Sequence, residues 1–387
     1  MSACAHSNGR PIALTQIKAV FAKVVTSRLS EKGAPMLEDL IDTYGNGSIL
    51  AALGSFVGVV FGAAAQHSRF CLRAATAEVA DGRLGPRLSI WLIAFSAAVL
   101  SVQLLIFRGL LDVSESRQLA TTGSMSGAII GGLMFGVGMI LARGCASRLL
   151  VLSATGNLRA IVTGLVLTLV AQSALRGALA PARESLAALW TVPGGAARDL
   201  LIQLGATSAI VAFVSAIALI GALVHARRNS VQMSHIIGAL GVGIAVSLGW
   251  LGTYTVAMNS FDVVAISSVT FTGPSTDTLM GLVNSTQLPL GFGVGLVPGV
   301  FVGAGVMALL TGEAKIQRFD PDTPMEVYLV GAALMGFGSM LAGGCAVGAG
   351  MSGGAVFALT AWVAVGCMWV GAMATHRLMH RHSPVMA

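Results

Sequence analysis

Charge is scarce in this chain: only 10% of its 387 residues are Asp, Glu, Lys or Arg, against about 25% in a soluble globular domain. Such a deficit excludes an ordinary water-soluble fold. Aromatic residues are few as well, at 6%, and no basic cluster interleaved with them offers a stacking surface for nucleic acid. The five cysteines, Cys4, Cys71, Cys145, Cys345 and Cys367, are odd in number and widely spaced. They form no CxxC or Cys/His group, which argues against a disulfide framework or a zinc site. There is no phosphate-binding loop to couple the protein directly to ATP, no cofactor-binding motif, and no visible signal peptide in the first 47 residues.

What the chain has instead is apolar sequence, 55% AVILMFWYC with 49 glycines and a mean hydropathy of +0.83. Uncharged stretches near the roughly 20 residues needed to span a bilayer fall at 48–66, 89–107, 124–142, 160–175, 201–224, 236–258, 288–311, 327–343 and 356–375. They predict an all-α integral membrane protein with about nine transmembrane helices. Shorter apolar pieces at 67–80, 146–158, 263–286 and the Gly-rich 344–355 are expected to be re-entrant or broken half-helices. Backbone of that kind survives at membrane depth only where it lines a cavity or is buried in protein. Residues 1–47 read as an N-terminal tail in which Leu14, Ile17, Phe21, Val24 and Val25 could form an amphipathic surface helix. Residues 48–375 read as one transmembrane transporter domain, and 376–387 as a basic C-terminal tail.

The excess of 23 Lys and Arg over 16 Asp and Glu fits juxtamembrane anchoring and an affinity for anions. Nine crossings with Arg377 and Arg381 in the cytoplasm place most loop arginines, from Arg69 and Arg73 to Arg227 and Arg228, on the cytoplasmic side, as the positive-inside rule requires.

Shifting the sequence by 200 residues lays GGLMFGVGMILARGCA (Gly131–Ala146) over GAALMGFGSMLAGGCA (Gly331–Ala346), with eight of sixteen positions identical. The pairs Gly144/Gly344 and Cys145/Cys345 are among them. The chain therefore reads as two pseudo-symmetric halves, about 48–200 and 201–375, which nine crossings would insert in opposite directions. Spaced glycines such as Gly131, Gly136 and Gly138 suit close helix packing. The denser run from Gly343 to Gly354 points to a broken helix whose free N–H groups favour an anion.

Cys367, in an apolar helix, reads as a packing residue, and Cys4 as an inert tail residue. Cys71, Cys145 and Cys345 each end a predicted span beside a half-helix. Arg69 and Arg73 flank the first and Arg143 and Arg148 the second, where positive charge favours thiolate and attracts an anion. These arginines could equally be interfacial anchors, and His67 a satisfied interfacial residue.

With HSRFCLRAA upstream, the segments GGLMFGVGMILARGCASRLLVLSATGNLRAIV and LVGAALMGFGSMLAGGCAVGAGMSGGAVFALTAWVA resemble the signature of the YeeE/YedE family of bacterial inner-membrane sulfur-compound transporters. The resemblance implies thiosulfate uptake through an hourglass of spanning and broken helices. It assigns a substrate relay to Cys71, Cys145 and Cys345, to which the reading of their neighbours adds Gly144, Gly344, Arg69 and Arg143 as candidate site residues. It also implies a small cytoplasmic sulfurtransferase-like partner. Many relatives carry Thr and a polar residue where this chain has Ala346 and Ala349, so a related sulfur or selenium species is the alternative cargo. A membrane-embedded thiol enzyme, a sulfurtransferase or thiol oxidoreductase, is the alternative activity, and a scaffold without substrate leaves the paired Gly-Cys motifs unexplained.

Overall fold

A computed structural model describes residues 34–284, 289–318 and 324–382. The amphipathic stretch expected near residues 14–25, and Cys4, lie outside them. The described chain is almost entirely helical. In order, the helices are α1 (Ala34–Ser68), α2 (Leu72–Ala80), α3 (Pro86–Phe107), α4 (Met125–Leu141), α5 (Ala146–Ala154), α6 (Leu158–Arg176) and α7 (Ala180–Ala188). Then come α8 (Ser208–Arg228), α9 (Met233–Met258), α10 (Thr272–Asn284), α11 (Phe292–Leu310), α12 (Met325–Leu341) and α13 (Leu359–His382). Two residues of strand at Gly123–Ser124 pair antiparallel with Thr191–Val192.

Among the described residues, eight helical segments are long and apolar enough to cross a membrane, and the 17-residue α12 is a shorter apolar ninth. The protein is thus a multi-pass, all-α membrane protein. Helix α1 starts before the expected boundary at residue 48, running from Ala34 through a break at Gly45, whose φ is 78°. Helix α8 starts later than residue 201, because Gly205 in a left-handed conformation ends the short turn Leu200–Leu204. The apolar stretch 263–286 divides into an extended segment and α10, with Pro274 in the first turn of that helix, where its missing N–H costs little.

Helix ends use local chemistry. Ser124 Oγ accepts the Gly127 N–H at 2.8 Å to start α4, and Asn157 Oδ1 accepts the Ala160 N–H at 2.9 Å to start α6. In lipid there is little hydrophobic drive between helices, so close packing depends on small residues. Helices α1 and α11 run parallel with interlocking glycine rows: Gly54, Gly58 and Gly62 meet the backbone of Phe292–Val300, while Gly295, Gly299 and Gly303 meet that of Ala51–Val59.

Helices α4 and α12 cross antiparallel at Gly131 against Gly338 and Gly138 against Gly331, positions that exchange under the 200-residue shift. The same exchange relates the packing of Gly136 on Met368 and Ala372 of α13 to that of Gly336 on Leu167 and Ala171 of α6. One end of the bundle, here the basic end, gathers the exit of α1, the α4–α5 break and the segment after α11, tied by Arg69 to Glu313, Arg148 to Gln66 and Asn157 to Gln317. The far end gathers the exit of α12, the segment before α10 and the turn at Arg198, tied by Thr270 to Cys345 and Arg198 to Thr360.

Candidate substrate pathway

Three of the cysteines sit in one backbone motif. Helices α1, α4 and α12 each stop at a left-handed residue, Arg69 (φ 55°), Arg143 (φ 54°) and Gly343 (φ 78°). The next N–H closes the helix: Phe70 donates to Ala65 O at 3.1 Å, Gly144 to Met139 O at 3.1 Å and Gly344 to Ser339 O at 2.9 Å. This is the Schellman ending, which favours glycine at the left-handed position. Cysteine follows, and its carbonyl accepts from the residue four on, opening the next helical turn: Ala75 to Cys71, Leu149 to Cys145 and Ala349 to Cys345. Each thiol is therefore held where one helix ends and another begins. Arginine in a left-handed conformation is disfavoured by an amount of order 1–3 kcal/mol, so two of the three motifs carry a charged side chain at a steric cost.

The motifs are not spread evenly. Cys71, half-buried, and Cys145, 1% exposed, lie together at the basic end, each within the electrostatic reach of the other. Ser147 Oγ stands 3.3 Å from Cys145 Sγ. Cys345, also 1% exposed, is at the far end, where its sulfur accepts the Gly348 N–H at 3.4 Å and lies 3.9 Å from Thr270 Oγ1. Cys367 is away from all three, against Gly132 on the α4–α13 contact.

Around Cys345 two cavities open. One of about 280 Å³ is bounded by Arg117, Arg183, Thr270, Asp277 and Gly344, and one of about 260 Å³ by Arg117, Arg198, Gly348 and Thr360. Gly343 lines both. Arg198 is 7% exposed and held by its donation to Thr121 O and Thr360 Oγ1, each at 2.7 Å. A Cβ on Gly344 would stand 2.9 Å from the Ala349 nitrogen, whereas one on Gly144 would meet the Leu149 side chain at an ordinary 3.4 Å.

The arginines divide by partner. Arg69 donates to Glu313 Oε1 at 2.7 Å, and Gln66 donates to the other carboxylate oxygen at 2.7 Å. That hydrogen bond from Arg69 holds the Glu313 carboxyl below its ordinary pKa, with partial burial acting in the opposite sense and Gln66 adding to the lowering. Arg148 reaches Gln66 Oε1 at 3.4 Å and lies in the field of both basic-end cysteines. Arg143 stacks 5.9 Å from the Tyr328 ring centre, and Arg73 neighbours Cys71. His67 stands edge-on to His235, with ring centres 5.5 Å apart. Of the named site residues, the fold brings together Cys71, Cys145, Gly144, Arg69 and Arg143 at one end and places Cys345 and Gly344 at the other. Thr270, Tyr328, Arg159, Arg198 and Glu313 were not singled out from sequence. Thr270 alone had a signal there, since it lies 200 residues after Phe70 in the first cysteine motif.

The profile of the Sulphur transport family matches residues 67–374, from the end of α1 to α13. The chain belongs to this family. Two relatives are similar over most of its length. The thiosulfate transporter TsuA of Escherichia coli K12 is 26% identical over 340 residues, covering 82% of this chain and 91% of that protein. The thiosulfate transporter TsuA of Spirochaeta thermophila is 27% identical over 327 residues, covering 80% and 93%. The span that the family profile matches contains Cys71, Cys145 and Cys345.

Proposed function

We propose that this Sulphur transport family member carries thiosulfate, or a closely related sulfur-containing anion, inward across the bacterial inner membrane along a path from Cys345 to the Cys71–Cys145 pair. The observation that carries the reading is the same helix–break–cysteine motif at both ends of the bundle, with buried or half-buried cysteines near arginines. Thiosulfate is a hydrated dianion with a soft terminal sulfur, and moving it bare through hydrocarbon would be prohibitive. Arginines and helix N-termini compensate its charge, while neutral thiols and hydroxyls such as Thr270 donate weakly enough to release it. The names of the two relatives support the cargo.

On this reading the basic end is cytoplasmic, by the positive-inside rule, and so is the C-terminus after α13. Arg117, Arg183 and Arg198 then form the outer vestibule that collects the anion at Cys345. The two halves, about 48–200 and 201–375, are an inverted duplication, supported by the exchange of Gly131–Gly338 with Gly138–Gly331. The basic face is where a small soluble sulfurtransferase-like protein would accept the cargo.

Uptake of labelled thiosulfate into inverted and right-side-out vesicles tests the reading, with wild type compared to Cys345→Ser. Serine keeps a hydrogen-bond donor without sulfur chemistry, so partial uptake is expected. Complete loss accompanied by a trapped persulfide would replace the hydrogen-bonding relay with covalent exchange. Absence of uptake by the wild-type protein would remove the cargo assignment.

A further inference from the structure

Beside the cysteine pair, two guanidiniums meet one phenol and a third lies within electrostatic reach of all three groups. Tyr328, in the first turn of α12, is 2% exposed. Arg159, in the first turn of α6, donates to its hydroxyl oxygen at 3.0 Å and lies over its ring with 4.6 Å from guanidinium carbon to ring centre. Arg143, in the α4–α5 break, approaches the same ring at 5.9 Å. Arg73, in the first turn of α2, is within electrostatic reach of Arg143, Arg159 and Tyr328, and its Nε is buried without a hydrogen-bond partner. Among the described residues no carboxylate pairs with any of the three arginines.

Like charges do not gather at a partly buried site without something to offset them. Stacking on Tyr328 stabilises Arg159 and Arg143, yet these two and Arg73 still repel one another. The unclaimed donors are of one kind: the Arg73 Nε–H, the remaining guanidinium N–H groups and the phenol proton, whose oxygen already accepts from Arg159. Convergent N–H and O–H donors with an excess of positive charge match the oxygens of a tetrahedral oxyanion. The cage lies two residues from Cys71 through Arg73 and two from Cys145 through Arg143.

We infer that Arg73, Arg143, Arg159 and Tyr328 form a second anion site, which takes a tetrahedral oxyanion by its oxygens and does not read sulfur. Its place in the transport cycle rests on the proposed function: it receives the anion after the cysteine pair. Its chemistry does not, because sulfate satisfies it as well as thiosulfate. Sulfate accumulating at the basic end would therefore occupy the site and slow delivery.

The test is calorimetric titration of the purified full-length protein with sodium sulfate at constant ionic strength, with chloride as the control. Sulfate binding is expected to weaken by roughly tenfold or more in Arg159→Gln, the scale of one charge-assisted hydrogen bond, and less in Arg159→Lys and Tyr328→Phe. It is expected to persist in a Cys71→Ala/Cys145→Ala protein that has lost thiosulfate uptake, which separates the cage from the relay. Unchanged sulfate affinity in Arg159→Gln overturns the inference, as does binding that disappears only with Arg198→Gln at the far end. A wild-type protein that binds no sulfate, but gains binding in Asp320→Asn/Asp322→Asn, would show that acids of the chain fill the cage, and this also overturns it. Thermal unfolding of each variant in chloride identifies any that fail to fold, and Arg159→Lys then carries the comparison. Arg159-dependent sulfate binding without thiosulfate uptake would retain the cage and dismiss the relay.

Discussion

Phe271 stands 200 residues after Cys71 and opens α10 as Cys71 opens α2: its carbonyl accepts the Ser275 N–H at 2.8 Å, where that of Cys71 accepts the Ala75 N–H at 3.3 Å. The phenyl ring packs on Phe61 with 5.0 Å between centres. A thiol thus occupies this position at the basic end and an aromatic ring at the far end. The basic end has two neighbouring thiols and the far end has one, accompanied by Thr270.

That asymmetry predicts a specific crosslink. Mild oxidation of the purified protein with a copper–phenanthroline catalyst should join Cys71 to Cys145 and leave Cys345 free, read by mass spectrometry of the digested chain. Thiosulfate added first should slow the crosslink. A Cys345-containing crosslink within one chain would contradict the separation of the two ends.

The antiparallel crossing predicts sharp sensitivity to size. A Cβ on Gly131 would lie 2.5 Å from the Gly338 carbonyl oxygen, and one on Gly138 would lie 2.5 Å from that of Gly331. Backbone cannot yield as a flexible side chain does, so Gly131→Ala should cost roughly 1–3 kcal/mol. Gly164→Ala, where a Cβ meets nothing within 4 Å, is the control and should be near neutral or slightly stabilising. Thermal unfolding in detergent compares the two, and equal effects would refute the close approach.

A pH dependence follows from Glu313. Its folded pKa lies below the ordinary 4.5 because Arg69 donates to it. The pair therefore adds stability above about pH 4.5, and this contribution fades as the pH falls through the lowered value. Arg69 and Glu313 side chains are 47% and 34% exposed, so solvent screening limits the gain to about 0–1 kcal/mol. Arg69→Gln should be less stable than wild type at pH 7, with the gap closing on acidification. A gap that widened below pH 4 would give the linkage the wrong sign.

At the far end, Asp277 faces the cavity beside Cys345 together with Arg117 and Arg183, and a second cavity of about 460 Å³ beside Arg176. A carboxylate there opposes an approaching dianion. Asp277→Asn should lower the KM for thiosulfate uptake by roughly two- to fivefold, the scale of a solvent-screened charge at close range, with a smaller effect in high salt. A raised KM would assign Asp277 an attractive role.

The spans and the breaks were legible because both are local. An uncharged stretch of sufficient length leaves few alternatives to a membrane helix, and Cys71, Cys145 and Cys345 each stand in sequence at the end of such a stretch beside a shorter apolar piece; that Arg69 and Arg143 turn left-handed there has no sequence signal. What a side chain meets is not local. Arg69 and Arg143 read alike in sequence, each two residues before a cysteine, yet one is neutralised by Glu313, 244 residues away, and the other faces Tyr328. The Gly-rich run after Cys345 also folds differently from its counterpart: residues Gly348–Gly353 form a wide π-type turn, where the less glycine-rich Ala146–Ala154 forms an ordinary α-helix.

The interlocking of α1 with α11 and of α4 with α13 bears on how the chain is made. A ribosome that has released only the first two hundred residues has inserted helices whose notched surfaces await partners not yet synthesised. Those surfaces must be shielded by lipid or by an insertion factor until the last helix arrives. Two fragments severed in the Arg176–Ser208 connection should accordingly be unable to mature singly, yet should recover the native form when produced together.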